Sequence, residues 1–171
     1  MAVLKVETGV ENAALRQKSK PVRSIDRNIQ KLLKDMEATM EAGNGCGLAA
    51  PQVGFPLRII MVKLNQLTDQ ELNIAMINPE ITYFSEDTYV DEEGCLSVPG
   101  YFDQVERASE IIVRFQNAKG RELVLKMSEL NARVVQHEID HLDGILFTDL
   151  IVGGVPGKLL GEDKQERHLK L

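Results

Sequence analysis

The sequence predicts a single α+β domain with antiparallel strands, spanning residues 1–171. Several short strand patterns lie between two helix patterns, without the regular strand–helix alternation that is typical of a parallel sheet. Two of the strand patterns, at 110–115 and 122–127, flank a turn sequence at 117–120 and predict a β-hairpin. A chain of 171 residues fits one domain and can bury a sizeable core.

The first helix is predicted at about 26–42, where apolar residues recur at helical spacing. Ser24 or Asp26 can cap its start, and Gly43 ends it. A glycine-rich loop is expected at 43–56. Strands are then predicted at 58–62, 74–77 and 80–84, the last two separated at Pro79, with a second loop at 92–101.

The second helix is predicted at about 129–143. Ser128 is its expected N-cap, and Gly144 its expected C-terminal stop. Residues from about 153 to 171 are Gly- and Pro-rich and then charged, so we expect a C-terminal tail or a short helix there.

The composition excludes several classes of function. A formal net charge of -6 and a pI of about 5.2 argue against a protein that wraps DNA over a broad basic surface. No apolar run approaches the ~20 residues that span a bilayer, and the N-terminus lacks the apolar core of a signal peptide. We therefore expect a cytoplasmic protein that binds neither DNA nor a membrane. In that compartment Cys46 and Cys95 are expected to stay reduced.

Two histidines on the second helix predict a metal site. His137 and His141 are four residues apart, so they share one helix face with the apolar residues Leu130 and Val134. Glu138 follows the first histidine and can reach a metal-bound water without being a ligand, as in the H-E-x-x-H motif. A metal-free histidine pair is the alternative, but two imidazoles on an apolar stripe need polar partners.

A catalytic metal site needs a third protein ligand and an open position. Cys95 is the better candidate, because a soft thiolate binds transition metals strongly and its loop contains glycine and proline. Glu162, further along the chain, is the alternative, since some H-E-x-x-H enzymes use a downstream glutamate. Phe147 stands where other such enzymes have a third histidine. By ligand type alone, a cysteine with two histidines indicates Zn2+.

A second candidate feature is the run of small residues at 44–52, which lets a backbone approach a ligand closely. At its end, Gln52 carries an amide that can donate to a developing oxyanion. A tight turn with a solvated Gln52 is an equally good interpretation of the residues alone.

Three segments together resemble the three signature motifs of peptide deformylase, in the same order and at similar separation. They are 45–52 (GCGLAAPQ), 93–97 (EGCLS) and 136–144 (QHEIDHLDG). The similarity extends from about Leu4 to Leu150. The resemblance implies antiparallel β-sheets packed around a central helix that carries the H-E-x-x-H motif.

The resemblance also implies a function. The chain would remove the formyl group from the N-terminal N-formylmethionine of newly synthesised proteins, using a metal-bound water with Glu138 as general acid and base. Cys95, His137 and His141 would bind one divalent metal ion, with Fe2+ expected and Zn2+ or Ni2+ as the alternatives for the purified protein. The implied partners are N-formylmethionyl nascent peptides and, transiently, the ribosome.

The remaining site residues come from the same resemblance. Gln52 and the backbone N–H of Leu96 would stabilise the oxyanion of the tetrahedral intermediate. The substrate would lie against Gly45, Cys46, Gly47, Leu130, Arg133 and Val134. The stem of Arg133 is expected to cover the methionine pocket while its charge reaches water. Glu93 is expected to pair with Arg107 and hold the Cys95 loop.

Two other functions stay open at this point. An H-E-x-x-H endopeptidase would use Glu162 rather than Cys95, and a metal-stabilised binding module would recruit Cys46 as a fourth ligand. The basic tail residues that could contact ribosomal RNA are Lys158, Lys164, Arg167 and Lys170. A solvated tail is the alternative for them, and the sequence does not indicate an oligomeric state.

Overall fold

The computed structural model describes residues 1–153 of the chain. Its helices are α1 (Ala13–Arg16), α2 (Arg27–Ala42) and α3 (Glu129–Leu142), with short 3-10 helices at Ala50–Val53 and Phe147–Asp149. Its strands are β1 (Gly47–Ala49), β2 (Ile59–Leu64), β3 (Leu72–Phe84), β4 (Thr88–Cys95), β5 (Val98–Ala108), β6 (Glu110–Gln116) and β7 (Glu122–Ser128).

The strands form two antiparallel sheets. The larger sheet has the strand order β1-β2-β3-β6-β7, and β4 pairs with β5 in a separate two-stranded sheet. The predicted hairpin is β6–β7, which pairs from Glu110 opposite Ser128 to Gln116 opposite Glu122. The prediction of antiparallel strands is therefore confirmed.

Helix α3 lies between the two sheets. It contacts β1, β2, β6 and β7 of the larger sheet and β5 of the smaller one. Val135 and Ile139 of α3 belong to a buried apolar cluster that includes Ile60 of β2 and Val113 of β6. The motif-bearing helix is thus central and almost fully enclosed, as expected for a helix buried between layers.

Helix α2 packs on the other side of the larger sheet. The Asp26 carboxylate accepts the backbone N–H groups of Asn28 and Ile29, each at 2.9 Å, and so caps the helix start as predicted. Its buried residues Met36 and Met40 share an apolar cluster with strand residues of β1 and β2. This second cluster includes Leu48 and Ala50, so it packs against the glycine-rich segment on the side of α2.

Both predicted loops contain regular structure, and the prediction of unbroken loops there is wrong. The loop at 43–56 holds β1 and a 3-10 helix, and most of the loop at 92–101 belongs to β4 and β5. Strand β4 contains the run Asp-Glu-Glu-Gly at 91–94, residue types that are depleted in strands, so local composition hides the strand. Cross-strand pairing with β5 determines its conformation instead.

The strands predicted at 74–77 and 80–84 are one strand, β3. The register against β6 shifts between Ile77 and Glu80, and Asn78 has a φ of 52°. Pro79 has no N–H for the ladder, so the strand bulges at this point rather than ending.

The predicted bounds of the second helix are nearly those of α3. Ser128 is the N-cap residue, but its side chain makes no cap hydrogen bond. The first helical residue, Glu129, has a φ of 52° and donates its N–H to the Ser109 carbonyl at 2.8 Å. No helix within 1–153 is long and apolar enough to cross a membrane. The tail predicted at about 153–171, with Glu162 and the basic residues, lies outside the described residues except for Gly153.

Candidate metal centre and active site

Cys95, His137 and His141 converge on one point. Cys95 ends β4, while the two histidines project from successive turns of α3 toward it. One ligand atom from each residue lies within 4.8 Å of the others, and Cys95 Sγ is 3.2 Å from His141 Nε2. All three side chains are buried, at most 2% exposed. Strand pairing and helix periodicity together therefore form a three-ligand group.

The donor set fits a divalent transition-metal ion. No described residue hydrogen-bonds to Nε2 of His137 or Nδ1 of His141, although both atoms are buried. Burial, followed by the charge of His137, holds the pKa of His141 well below its ordinary value, so this imidazole is neutral and offers a lone pair. The unpaired Nε2 of His137 is costly to bury, and a cation held by Cys95, His137 and His141 would satisfy it.

Glu93 connects the first histidine to two arginines. Its Oε2 lies 2.8 Å from His137 Nδ1, and it accepts hydrogen bonds from Arg107 Nε at 2.8 Å and Arg107 Nη2 at 2.9 Å. Burial alone would raise the pKa of Glu93, but the hydrogen bonds from Arg107 and His137 outweigh it and hold the pKa well below its usual range. The ionised carboxylate accepts the Nδ1 proton of His137. Burial lowers the pKa of His137, but the neighbouring Cys95 and Glu93 outweigh it and hold the pKa well above its ordinary value, so a metal at Nε2 would displace a proton. The predicted Glu93–Arg107 pair is confirmed.

Replacing Arg107 by alanine is expected to weaken metal binding about 10–100-fold, the usual cost of losing a residue that orients a metal ligand. The free energy of unfolding should fall by about 3 kcal/mol, because buried Glu93 loses its bidentate partner. Chelator competition and urea unfolding measure the two effects. Arg114→Ala is the matched control, since Arg114 pairs with Glu80 on the exposed face of the sheet. Equal metal affinity in both variants would contradict the orienting role.

Arg133 is placed differently from the prediction. Its side chain is 1% exposed, and Nη1 donates to Glu93 Oε1 at 2.7 Å and to the Val105 carbonyl at 3.0 Å. Its guanidinium lies 4.4 Å from the centre of the Tyr89 ring. The prediction that its charge reaches water is wrong, because β4 and β5 cover this face of α3. One signal was available in the sequence: Arg133 is one turn before His137, on the same helix face.

Glu138 is buried beside the metal group without a hydrogen-bond partner. Its side chain is fully buried, and neither carboxylate oxygen is bonded to a described residue. Burial raises the pKa of Glu138 to about 7, although the charge of His137 opposes the shift. A carboxyl group with a pKa near neutrality is suited to take up and release a proton.

Gly47 gives Glu138 the space that it occupies. A Cβ at residue 47 would lie 2.3 Å from Glu138 Oε1 and 2.7 Å from its Cδ. Gly47→Ala must therefore displace the carboxylate, and we expect kcat to fall about 10²-fold, as for a catalytic group misplaced by about 1 Å. Steady-state kinetics with metal analysis tests this. Gly120→Ala is the control, because its Cβ lies no closer than 3.7 Å to another atom and the residue is in the turn between β6 and β7, far from Glu138; an equal loss in both variants would refute the explanation.

Gln52 is buried, and both ends of its side-chain amide have hydrogen-bond partners. Its Oε1 accepts the Ala49 N–H at 2.7 Å, and its Nε2 donates to Ser97 Oγ at 3.1 Å and lies 3.4 Å from Cys95 Sγ. The interpretation of a solvated Gln52 is therefore wrong. Ser97 has no role that residue patterns alone predict, although it stands two residues after Cys95 at the end of the 93–97 motif. Leu96 lies between Cys95 and Ser97 in the sequence, so its backbone is next to the candidate metal ligand Cys95.

Three of the residues predicted to line the substrate site lie together in one apolar cluster. Cys46 and Val134 belong to the buried cluster around α3, with the half-buried Leu130 packed against it. The Cys46 thiol donates to Gln66 Oε1 at 2.7 Å, and burial raises its pKa to about 11. Both cysteines are free, and among the described residues the convergent group contains Cys95 but not Cys46. A closed site with Cys46 as the fourth ligand is thus not formed.

Known proteins resemble the chain in sequence. A family model described as polypeptide deformylase matches residues 4–154. The peptide deformylase of Pseudothermotoga lettingae is 49% identical over 137 residues, covering 80% of this chain and 77% of that protein. That of Bartonella henselae is 43% identical over 142 residues, covering 83% and 81%.

The fold also matches solved structures. The crystal structure of peptide deformylase from Thermotoga maritima superimposes with a TM-score of 0.83 at 38% identity, covering 89% of this chain and 99% of that one. A probable peptide deformylase from synechococcus phage S-SSM7 gives a TM-score of 0.81 at 44% identity, covering 86% and 99%. The likeness therefore includes both sheets and the central helix.

Proposed function

Because the chain belongs to the polypeptide deformylase family, we propose that it hydrolyses the formyl group from the N-terminal N-formylmethionine of newly synthesised proteins in the cytoplasm. The observation that carries this proposal is the convergence of Cys95, His137 and His141 beside the buried, unpaired carboxyl group of Glu138. Three protein ligands leave one position for water or substrate, as a hydrolytic site requires.

Cys95, His137 and His141 would hold one divalent metal ion. When bound, such an ion polarises a carbonyl group and lowers the pKa of water, which is the chemistry that amide hydrolysis needs at neutral pH. Family resemblance favours Fe2+, whereas the ligand types alone favour Zn2+. Glu93 keeps the Nδ1 proton of His137 in place, so Nε2 faces the ligand group.

Glu138 would move the proton. As a carboxylate it accepts a proton from the attacking water, whose oxygen forms a bond to the formyl carbon. It then delivers that proton to the nitrogen of methionine as the C–N bond breaks, so that formate and a free amine leave. Its burial and lack of hydrogen bonds support this role, because no other group competes for its oxygens.

Gln52 and Leu96 would stabilise the developing oxyanion. The Gln52 side chain is held by Ala49 and directs its Nε2 toward Cys95 and Ser97. The backbone N–H of Leu96 is adjacent to Cys95 in sequence. Preorganised donors of this kind contribute about 10²–10³-fold in kcat.

Substrate would bind along the glycine-rich segment. Gly45 and Gly47 permit a peptide backbone to approach, and Cys46, Leu130 and Val134 offer apolar surface for the methionine side chain. The buried Arg133 lies behind this surface and supports Glu93. Contact with the ribosome stays a prediction.

The proposal is tested by identifying the products formed from formyl-Met-Ala-Ser-Ala by the metal-loaded chain. We expect formate and an otherwise intact peptide with a free N-terminus, and no reaction with the acetylated analogue. Cleavage of an internal peptide bond instead would favour the H-E-x-x-H endopeptidase and overturn the proposal.

A further inference from the structure

The segment of residues 7–19 donates one backbone hydrogen bond to each of three parts of the candidate site. Glu7 N–H donates to the Gln52 carbonyl at 2.7 Å, and Gly9 N–H donates to the Ser97 carbonyl at 2.9 Å. Ser19 N–H donates to the carbonyl of Leu142, the residue after His141, at 2.8 Å. These three acceptors belong to the three sequence motifs, which lie far apart along the chain.

We infer that residues 7–19, here called the N-terminal segment, are a positioning element that fixes the oxyanion donors relative to the metal ligands. The inference rests on the proposed function. Its main positioning residues are Glu7 and Gly9. Glu7 binds the 3-10 helix that carries Gln52 (Ala50–Val53, here the Gln52 helix), and Gly9 binds the short connection between β4 and β5 that carries Leu96. These two elements supply the two proposed oxyanion donors.

The N-terminal segment is itself held in a defined shape. Asn12 N–H donates to the Gly9 carbonyl at 3.1 Å, and the Asn12 side chain donates to Glu7 Oε2 at 3.0 Å. Its Oδ1 also accepts the Ala14 N–H at 2.9 Å and caps α1. Leu15 is fully buried, and Arg16 Nε donates to the Val10 carbonyl at 2.7 Å. These internal bonds hold the N-terminal segment in one conformation, so its backbone N–H groups keep fixed positions relative to Gln52 and Ser97.

The same segment packs against the end of α3. Gly144 has a φ of 75°, and a Cβ there would lie 2.5 Å from the Arg16 carbonyl oxygen. The Arg16 guanidinium donates to both carboxylate oxygens of Asp149, which follows α3. The chain that follows His141 is therefore fixed by the segment that also holds Gln52 and Ser97.

The position of Gln52 determines where its amide points. Its carbonyl is bound to Glu7, while its side chain is bound to Ala49 and Ser97. If the bonds from Glu7 and Gly9 were weakened, the backbones of the Gln52 helix (Ala50–Val53) and of residues 95–97 would be held less firmly relative to each other, and the Gln52 amide would change its position. An oxyanion donor acts mainly in the transition state, so its displacement should lower kcat and leave KM nearly unchanged.

Gly9→Ala tests the inference. Gly9 has a φ of 102°, which L-residues rarely adopt, and no atom lies within 4 Å of an added Cβ. The substitution therefore opposes only the backbone conformation that presents the Gly9 N–H. Gly120→Ala is the matched control: its φ is 76°, its nearest atom is 3.7 Å away, and it lies in the distant turn between β6 and β7.

We expect Gly9→Ala to lower kcat about tenfold or more, short of the ~10²-fold expected for a displacement of about 1 Å, with KM within about twofold of wild type. Metal content should stay at that of wild type. Both substitutions introduce a side chain at a positive φ, so Gly120→Ala should lower Tm by about as much as Gly9→Ala does, but it should not change kcat. Equal kcat values for the two variants at equal metal content would overturn the inference.

Two further readouts keep the test independent of activity and of complete folding. In ¹H–¹⁵N spectra of the zinc-loaded protein, the Leu96 amide and the Gln52 side-chain amide should shift in Gly9→Ala and not in Gly120→Ala. Asn12→Ala, which removes only the side-chain bonds within the segment, should give the same shifts at smaller size. Unshifted resonances in both variants would refute the positioning role. Absence of formate from wild type would refute the proposed function instead, and the spectra would still decide on the segment.

Discussion

Replacing Glu138 by glutamine is expected to leave the metal bound and to lower kcat about 10²–10⁴-fold, because an amide cannot accept a proton from water. Gln has nearly the same size as Glu, so the fully buried pocket beside Gly47 should keep its shape. The buried carboxylate also loses its desolvation cost, and the variant should be at least as stable as wild type.

Glu129→Gln is the matched control for this experiment. Glu129 is the first residue of the same helix and is exposed, so the same chemical change there should leave kcat unaltered. Formate release and metal content are measured on both variants. A Glu138→Gln variant with wild-type kcat would remove Glu138 from the mechanism, whatever its position.

The second large effect is expected for Cys95. Cys95→Ala removes the only sulfur of the convergent group in the described chain and leaves two histidines, so the metal should be lost on dialysis and activity with it. Cys46→Ala removes the other buried cysteine, whose thiol contacts Gln66, and should retain one metal ion per chain. Metal analysis and formate release are read on both proteins.

This pair of variants separates the candidate functions. Metal retention in Cys95→Ala would favour the endopeptidase with a different third ligand, and metal loss in Cys46→Ala would favour the closed structural site. If the chain is a deformylase, Cys95→Ala should lose the metal and Cys46→Ala should keep it.

Much of the site could be predicted from the sequence because its chemistry is local. The spacing of His137 and His141 places them on one helix face, and Glu138 between them follows from the same periodicity. The Asp26 cap and the β6–β7 hairpin are equally short-range features. Helical and strand periods are properties of neighbouring residues, so they can be read without knowing the fold.

The rest depends on contacts between distant residues. Arg133 is buried because β4 and β5 cover it, and an exposed helix position and a covered one have the same local pattern. The hairpin of β4 and β5 has acidic, glycine-containing strands, whose conformation depends on cross-strand pairing rather than on local composition. The bonds from Glu7 and Gly9 use backbone groups, for which the identity of the residues gives almost no signal.

The measurement that tests the central claim most directly is formate release from a formyl-Met peptide while Fe2+ is titrated anaerobically into the metal-free chain. The account predicts that activity rises in proportion to bound metal, saturates at one ion per chain and disappears with a chelator. A chain that holds one metal ion and releases no formate, or one that releases formate without metal, would contradict it.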